Sequence, residues 1–419
     1  MRRPSRIVLV AALVAVVVVA AVGIVRLLAA TPALTAAATA SSPWVPAVGT
    51  PLTVAAPPQG SLAVDALVGT AATHLAAADA ATVRPIASVA KTMTALVVLE
   101  LHPLQPGEAG PVITMTQVDV DDYLRIAAQS GSFVPVRVGE RFSERDLLLG
   151  LMLPSANNLA LSAARWVDGS VAAFVARLNA RAAALGMSRT HFADPDGLAA
   201  ATTSTASDLL RLGEAAVANP GLVDVASRTT ATLPDDTVVG NLDRLLVLEP
   251  GWIGIKTGWT PEASGCLLFA ARREPAPGSP ALTVVGAALG QPPDLTSGWA
   301  HPELGGAFDV ARTAVQTALA GYAAVRIGSG SIPVAGSLLA PWGTSSGVLV
   351  SGPDRVVLLH LGDPLTVTTH LRPVTVPAPP GTVAGSVTVS AGGTVVGQWT
   401  LVTASALVAP SAWWRVLNG

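Results

Sequence analysis

Gly254-Ile255-Lys256-Thr257-Gly258-Trp259-Thr260 continues a short apolar run that begins at Trp252 and carries one of only two lysines in the chain. The other lysine ends Arg84-Pro85-Ile86-Ala87-Ser88-Val89-Ala90-Lys91, just before an apolar helical run over residues 92–101. All the other cations among the 25 are arginines. Arginine keeps its proton inside a protein, whereas lysine gives it up when burial or nearby positive charge lowers its pKa, and it is a compact point charge. Two surviving lysines therefore mark two positions where arginine would not serve. Codon bias and chance can produce the same count, so the surroundings of the two residues must decide.

Ser88-Val89-Ala90-Lys91 opens a helix, and a spacing of three puts serine and lysine on one helical face. A desolvated lysine there can accept the serine proton, and the helix N-terminus favours developing negative charge. Taken alone, the pattern is also that of an ordinary solvated helix start. Ser155-Ala156-Asn157 falls where Pro154 breaks one helix and a second begins, in residue types that are common in loops. Lys256-Thr257-Gly258 is expected at the end of a strand, where glycine lets a ligand or another backbone approach closely. Its plain alternative is a hairpin edge with a solvated lysine.

Order and context tie the three together. They are similar to the three motifs of penicillin-binding proteins and serine β-lactamases, in the usual order. More of the chain resembles the low-molecular-weight D-alanyl-D-alanine carboxypeptidases, from Arg84 to Ala320 and more faintly through the C-terminal part to Trp399-Thr400-Leu401-Val402. The stretches that carry this are the lead-in Arg84-Pro85-Ile86-Ala87-Ser88, then Leu151-Met152-Leu153-Pro154-Ser155-Ala156-Asn157, the loop Thr190-His191-Phe192-Ala193-Asp194-Pro195-Asp196-Gly197-Leu198, and the heptapeptide quoted first.

The resemblance implies Ser88 as nucleophile, Lys91 as general base, Ser155 as proton relay and Asn157 as orienting amide. It implies substrate binding by Lys256, Thr257, Gly258, Trp259 and Thr260, with an oxyanion hole from the backbone N–H groups of Ser88 and Trp259. The substrates implied are peptidoglycan stem peptides ending in D-Ala-D-Ala, and β-lactams are the implied covalent inhibitors. No cofactor and no metal is expected. Four departures stand out: no threonine-glycine turn after Asp65-Ala66-Leu67-Val68-Gly69, Asn158 where aspartate is common, Ser207 for a frequent arginine, and no arginine within residues 291–300. The last would shift carboxylate binding onto Thr257, Thr260 and Lys256.

The remaining sequence predicts an α+β, DD-peptidase-like domain over 61–321, an antiparallel sheet with flanking helices plus a helical lobe. A small all-β domain follows over 322–407, then a tail over 408–419. Helices are expected at 143–153 behind a Ser143/Asp146 capping box, and at 157–167, 172–185 and 307–320. Strands are expected at 252–256, 265–271 and 282–289, with no helical period after Tyr322. Residues 41–60, rich in proline and glycine, read as a linker.

Residues 1–40 read as a signal-anchor or signal peptide. Arg2, Arg3 and Arg6 precede an apolar run over 7–25, about 19 residues against the ~20 that a spanning helix needs. The anchor is the favoured reading, with the rest of the chain on the extracytoplasmic face of the cytoplasmic membrane. Cleavage after the small-x-small sequence at 38–40, with secretion, is the alternative. With 51% hydrophobic residues and a net charge of -2, neither disorder nor a nucleic-acid partner is expected. The single cysteine, Cys266, excludes an internal disulfide framework and reads as a buried small hydrophobe.

Two rival functions remain. A class A-like β-lactamase would carry a Glu-x-x-Leu-Asn water activator, but between Ser155 and Lys256 the only glutamates are Glu214 and Glu249, neither in that pattern. A non-catalytic wall-binding protein on the same fold would have no need of three intact motifs.

Overall fold

The computed structural model describes residues 6–29, 40–44, 52–69, 71–296, 298–334, 336–391 and 393–418. Arg2, Arg3, the first two residues of the small-x-small sequence and residues 45–51 of the proline-rich stretch lie outside the described residues. The chain divides into two compact units, Pro51–Ala323 and a second made of Met1–Thr50 with Ala324–Gly419.

The Pro51–Ala323 unit is built on a five-stranded antiparallel sheet. Its order is Trp252–Thr260, Ser264–Arg273, Leu282–Gln291, Ser61–Val68, Ala71–Ala78. The first three strands form the meander that their short connections predict. Ser264–Arg273 and Leu282–Gln291 are buried along almost their whole length, because helices Pro302–Ala320 and Ala206–Ala218 pack against them. The helical lobe holds Lys91–Leu101, Glu144–Met152, Asn157–Asp168 and Val171–Ala184. Ser143 Oγ accepts from the Asp146 N–H, and the Asp146 carboxylate accepts from the Ser143 N–H, so the expected capping box forms. Phe174, Leu178 and Ala182 are buried on one face of Val171–Ala184, each large side chain contributing roughly 1.5–3 kcal/mol of transfer free energy.

Several elements differ from the sequence reading. The lysine-bearing strand does not end at Lys256 but continues in register with Ser264–Arg273 to Thr260. Helix Gln117–Ala128 was not anticipated, because its apolar face is thin, and it is started by a Thr116/Asp119 capping box. Only part of the proline-rich stretch behaves as a linker. Residues 40–44 form a strand, and Val54 is buried in the Pro51–Ala323 unit.

That strand, Ala40–Trp44, is the edge of a six-stranded antiparallel sheet in the second unit. The order continues through Leu365–Leu371, Val383–Ala391, Thr394–Thr403, Ser345–Ser351 and Ser337–Leu339. Period-two burial along Leu365–Leu371 gives this sheet one covered face, filled by Val367, Val387, Val389, Trp399 and Leu401. The same unit contains helix Arg6–Leu28, long and apolar enough to cross a membrane and with no buried residue. A helix after Tyr322 was not expected, yet Ala412–Asn418 is helical; at seven residues it is too short to show a period.

Candidate active site

Ser88 sits in a 3₁₀ turn, Ala87–Ala90, that runs directly into helix Lys91–Leu101. Val89 and Ala90, between the two polar residues, are fully buried and pin the turn to the core. Ala87 has φ 46, a left-handed conformation that costs an alanine roughly 1–2 kcal/mol. Its carbonyl faces Gly197, where a Cβ would come within 1.9 Å of the oxygen, so only glycine fits there. The close approach expected at Gly258 is also present: a Cβ on it would lie 3.0 Å from the backbone nitrogens of Ser88 and Val89. The strand backbone thus lies directly against the serine turn.

Lys91 is fully buried. Its Nζ is 2.8 Å from Ser88 Oγ, 2.6 Å from Asn157 Oδ1 and 2.8 Å from the Asp196 carbonyl oxygen. Burial pushes its pKa down to about 8, against the upward pull of Asp196 and Asp194. Asn157 is the first residue of its helix and is held by its N–H to the Ser132 carbonyl, 2.8 Å away. Ser155 is forced to φ 66 in the break between two helices, and its Oγ is buried without a protein hydrogen-bond partner. Buried hydroxyls are nearly always paired. On the cleft wall, Ser155 Oγ is thus free to bond a ligand or water in the cleft.

Lys256 is as buried as Lys91, and its Nζ lies 3.4 Å from Thr257 Oγ1. Burial first and the Lys91 charge second hold it well below the usual lysine range, while Asp243 pulls the other way. Asp243 is itself buried and raised to about 6, with Trp252 Nε1 donating to it at 2.9 Å. Ser88, Ser155, Thr257, Gly258 and Trp259 line one cleft of about 330 Å3, the size of a small-molecule site. Trp259, nearly half exposed, stands at its lip. Thr260 is not among the lining residues. Its hydroxyl accepts from the Ala263 N–H at 3.1 Å and closes the turn after the strand.

The structure also adds residues to which the sequence analysis attached no role. Asp196 contributes its carbonyl to Lys91, and burial raises its carboxyl to about 7 against the pull of the lysine. Its signal was the Asp194-Pro195-Asp196-Gly197 turn, which was noted only as a resemblance. His301 and Glu303 also line the cleft, with Nδ1 and Oε1 3.1 Å apart. They come from the start of the Pro302–Ala320 helix, and no local pattern marks them. Asn158 has a local explanation: its amide oxygen accepts from the Val134 N–H and its nitrogen donates to the Val134 carbonyl. A carboxylate could not make the second bond.

A sequence profile described as D-alanyl-D-alanine carboxypeptidase matches residues 56–288. A D-alanyl-D-alanine endopeptidase of Pseudomonas aeruginosa is 36% identical over 196 residues, covering 44% of this chain and 58% of that protein. A D-alanyl-D-alanine carboxypeptidase of Mycobacterium tuberculosis is 34% identical, over 48% of this chain and 66% of its own length. One from Streptomyces strain K15 is 34% identical over 45% of this chain and 69% of that protein. The chain thus spans about six-tenths of the length of the first two relatives. Among solved structures, the Streptomyces K15 DD-transpeptidase matches with a TM-score of 0.51 and 28% identity, covering 64% of this chain and 98% of that one.

Proposed function

This chain belongs to the D-alanyl-D-alanine carboxypeptidase family, and from that premise we propose that it is a serine DD-peptidase acting through a Ser88 acyl-enzyme on stem peptides ending in D-Ala-D-Ala. The observation that carries the proposal is the Lys91 amine, which lies 2.8 Å from Ser88 Oγ and 2.6 Å from Asn157 Oδ1 in a water-poor pocket. In its neutral form Lys91 takes the Ser88 proton as Oγ attacks the carbonyl of the penultimate D-alanine. The oxyanion is held by the backbone N–H groups of Ser88 and Trp259. Ser155 passes a proton to the departing D-alanine nitrogen as the C–N bond breaks, which gives its unpartnered hydroxyl a use. Asn157 orients Lys91, and Lys256 with Thr257 supplies field and hydrogen bonding for the substrate carboxylate. Water then hydrolyses the Ser88 ester.

The test reads two activities of the full chain in detergent. D-alanine should be released from a peptide ending in D-Ala-D-Ala over many turnovers. Penicillin should form an adduct that persists for minutes or longer, because the chain has no Glu-x-x-Leu-Asn water activator between Ser155 and Lys256. Rapid multiple-turnover hydrolysis of penicillin would make this a β-lactamase. Failure of both activities would leave a non-catalytic wall-binding protein.

The N-terminal helix is read here as an uncleaved anchor. Its 23 residues would extend about 34 Å, enough for the ~30 Å hydrocarbon core, and Arg26 ends the apolar stretch. The catalytic unit would then act on the extracytoplasmic face. N-terminal sequencing of the membrane fraction should recover the chain with residues 6–28 present. A mature chain that begins near Ser41 and is found in the medium would refute the anchor.

A further inference from the structure

We propose that His301, held by Glu303 and acting as an imidazolium, is the residue that recognises the terminal carboxylate of the substrate. The inference rests on the peptidase reading and deepens it, because it names the cation that selects a free peptide end. In a peptide ending in D-Ala-D-Ala the carboxylate carbon is two bonds from the scissile nitrogen. When Ser88 Oγ reaches the carbonyl carbon, that carboxylate therefore lies in the same cleft as the serine. A charge taken into a half-enclosed cleft needs a partner of opposite sign or several donors. Among the described residues that line the cleft, His301 is the only side chain that can carry positive charge. Lys256 is buried and is not one of them, and burial together with the Lys91 charge holds it well below the usual lysine range. Thr257 offers a hydroxyl on the same wall but no charge.

The fold fixes where the imidazole stands. Trp259, at the lip of the cleft, pairs with Gly265 on the next strand. A Cβ on Gly265 would lie 3.0 Å from the Glu303 carbonyl oxygen, so the start of helix Pro302–Ala320 sits hard against that strand, one strand over from Trp259. Leu304 is buried, and its N–H donates to the His301 carbonyl at 3.0 Å, which ties His301 to the first turn of the helix. The ring itself is held at Nδ1, 3.1 Å from Glu303 Oε1. A carboxylate only accepts, so Nδ1 carries the hydrogen and Nε2 is the ring nitrogen left for a ligand. In the imidazolium Nε2–H is a charged donor, of the kind that makes short, strong bonds to carboxylates. In the neutral ring the same atom is an acceptor and would repel one. Both side chains are partly exposed, so the pair is open to a ligand. The plain alternative is a surface ion pair that steadies the helix start, and such a pair would not distinguish one substrate from another.

The test uses the full chain in detergent and two peptides, diacetyl-L-lysyl-D-alanyl-D-alanine and the same peptide with a C-terminal amide. Release of D-alanine or of D-alaninamide gives kcat and KM for each. The wild type should prefer the free acid. His301→Gln keeps a polar side chain without the charge. It should lower kcat/KM for the acid by roughly 10- to 100-fold, the range of one hydrogen bond to a charged group, mainly through KM. The amide should be turned over as before to within about twofold, because it never made that interaction, and it serves as the internal control for folding. His301→Arg, which keeps a charged donor, should restore most of the preference for the acid. Equal losses on acid and amide, or no loss on either, would overturn the proposal and leave His301 a structural residue at the helix start. An arginine variant that recovers none of the acid preference would overturn it as well. A wild type that turns over neither peptide would refute the peptidase reading itself, and this inference with it.

Discussion

Replacing Ser88 with alanine should abolish covalent penicillin labelling, with the wild-type chain gaining one penicilloyl group per molecule by intact-protein mass spectrometry. Of the hydroxyls that line the cleft, Ser88 is the one hydrogen-bonded to Lys91. Ser155 lines the same cleft, but its Oγ has no base within hydrogen-bond reach in the structure. The loss should be chemical rather than structural. Lys91 keeps two of its three partners, Asn157 Oδ1 and the Asp196 carbonyl, when the serine hydroxyl is removed. One hydrogen bond of this kind is worth about 1 kcal/mol, so the variant should melt close to the wild type. An alanine variant that still gains the penicilloyl mass would place the nucleophile elsewhere.

Lys91→Arg should slow acylation by at least ~100-fold, or ~2.7 kcal/mol of barrier, while keeping the charge. A guanidinium does not give up its proton, so it cannot serve as the base. The pH profile supplies a second readout. Burial lowers the wild-type lysine to about 8, so the neutral base becomes more abundant as pH rises. Acylation should climb by up to tenfold per pH unit below that value and level off above it. The arginine variant should lose this limb. Lys256→Arg should be milder, since the proposed mechanism asks charge and not proton transfer of that position. Both lysines are buried, so each variant's thermal midpoint has to be compared with wild type before the rates are interpreted. Equal losses in two well-folded variants would refute the division of roles.

The helices and strands that carry the motifs were legible because each rests on local signals. A Ser/Asp pair starts a helix at 143, Pro154 stops it, and apolar runs set apart by turn residues form the meander. Signals weaker than one full period were missed. Gln117–Ala128 has too few apolar residues, and Ala412–Asn418 is too short. Ala40–Trp44 was hidden by its proline, which an edge strand tolerates because one row of its backbone groups needs no partner.

From the sequence by itself came the residue types and their order: a serine three before a lysine, a Ser-Ala-Asn break between helices, and a Lys-Thr-Gly strand, with both lysines of the chain among them. Only the tertiary structure decided what those residues meet. It brought Asn157 and the Asp196 carbonyl to Lys91 from distant points in the chain. It put Asp243 near enough for its charge to act on Lys256, His301 and Glu303 on the cleft wall, and Thr260 into a turn. The reason is physical. Local sequence sets backbone conformation over a few residues, whereas burial and charge neighbours, which set a pKa, depend on contacts made by parts of the chain far apart in sequence.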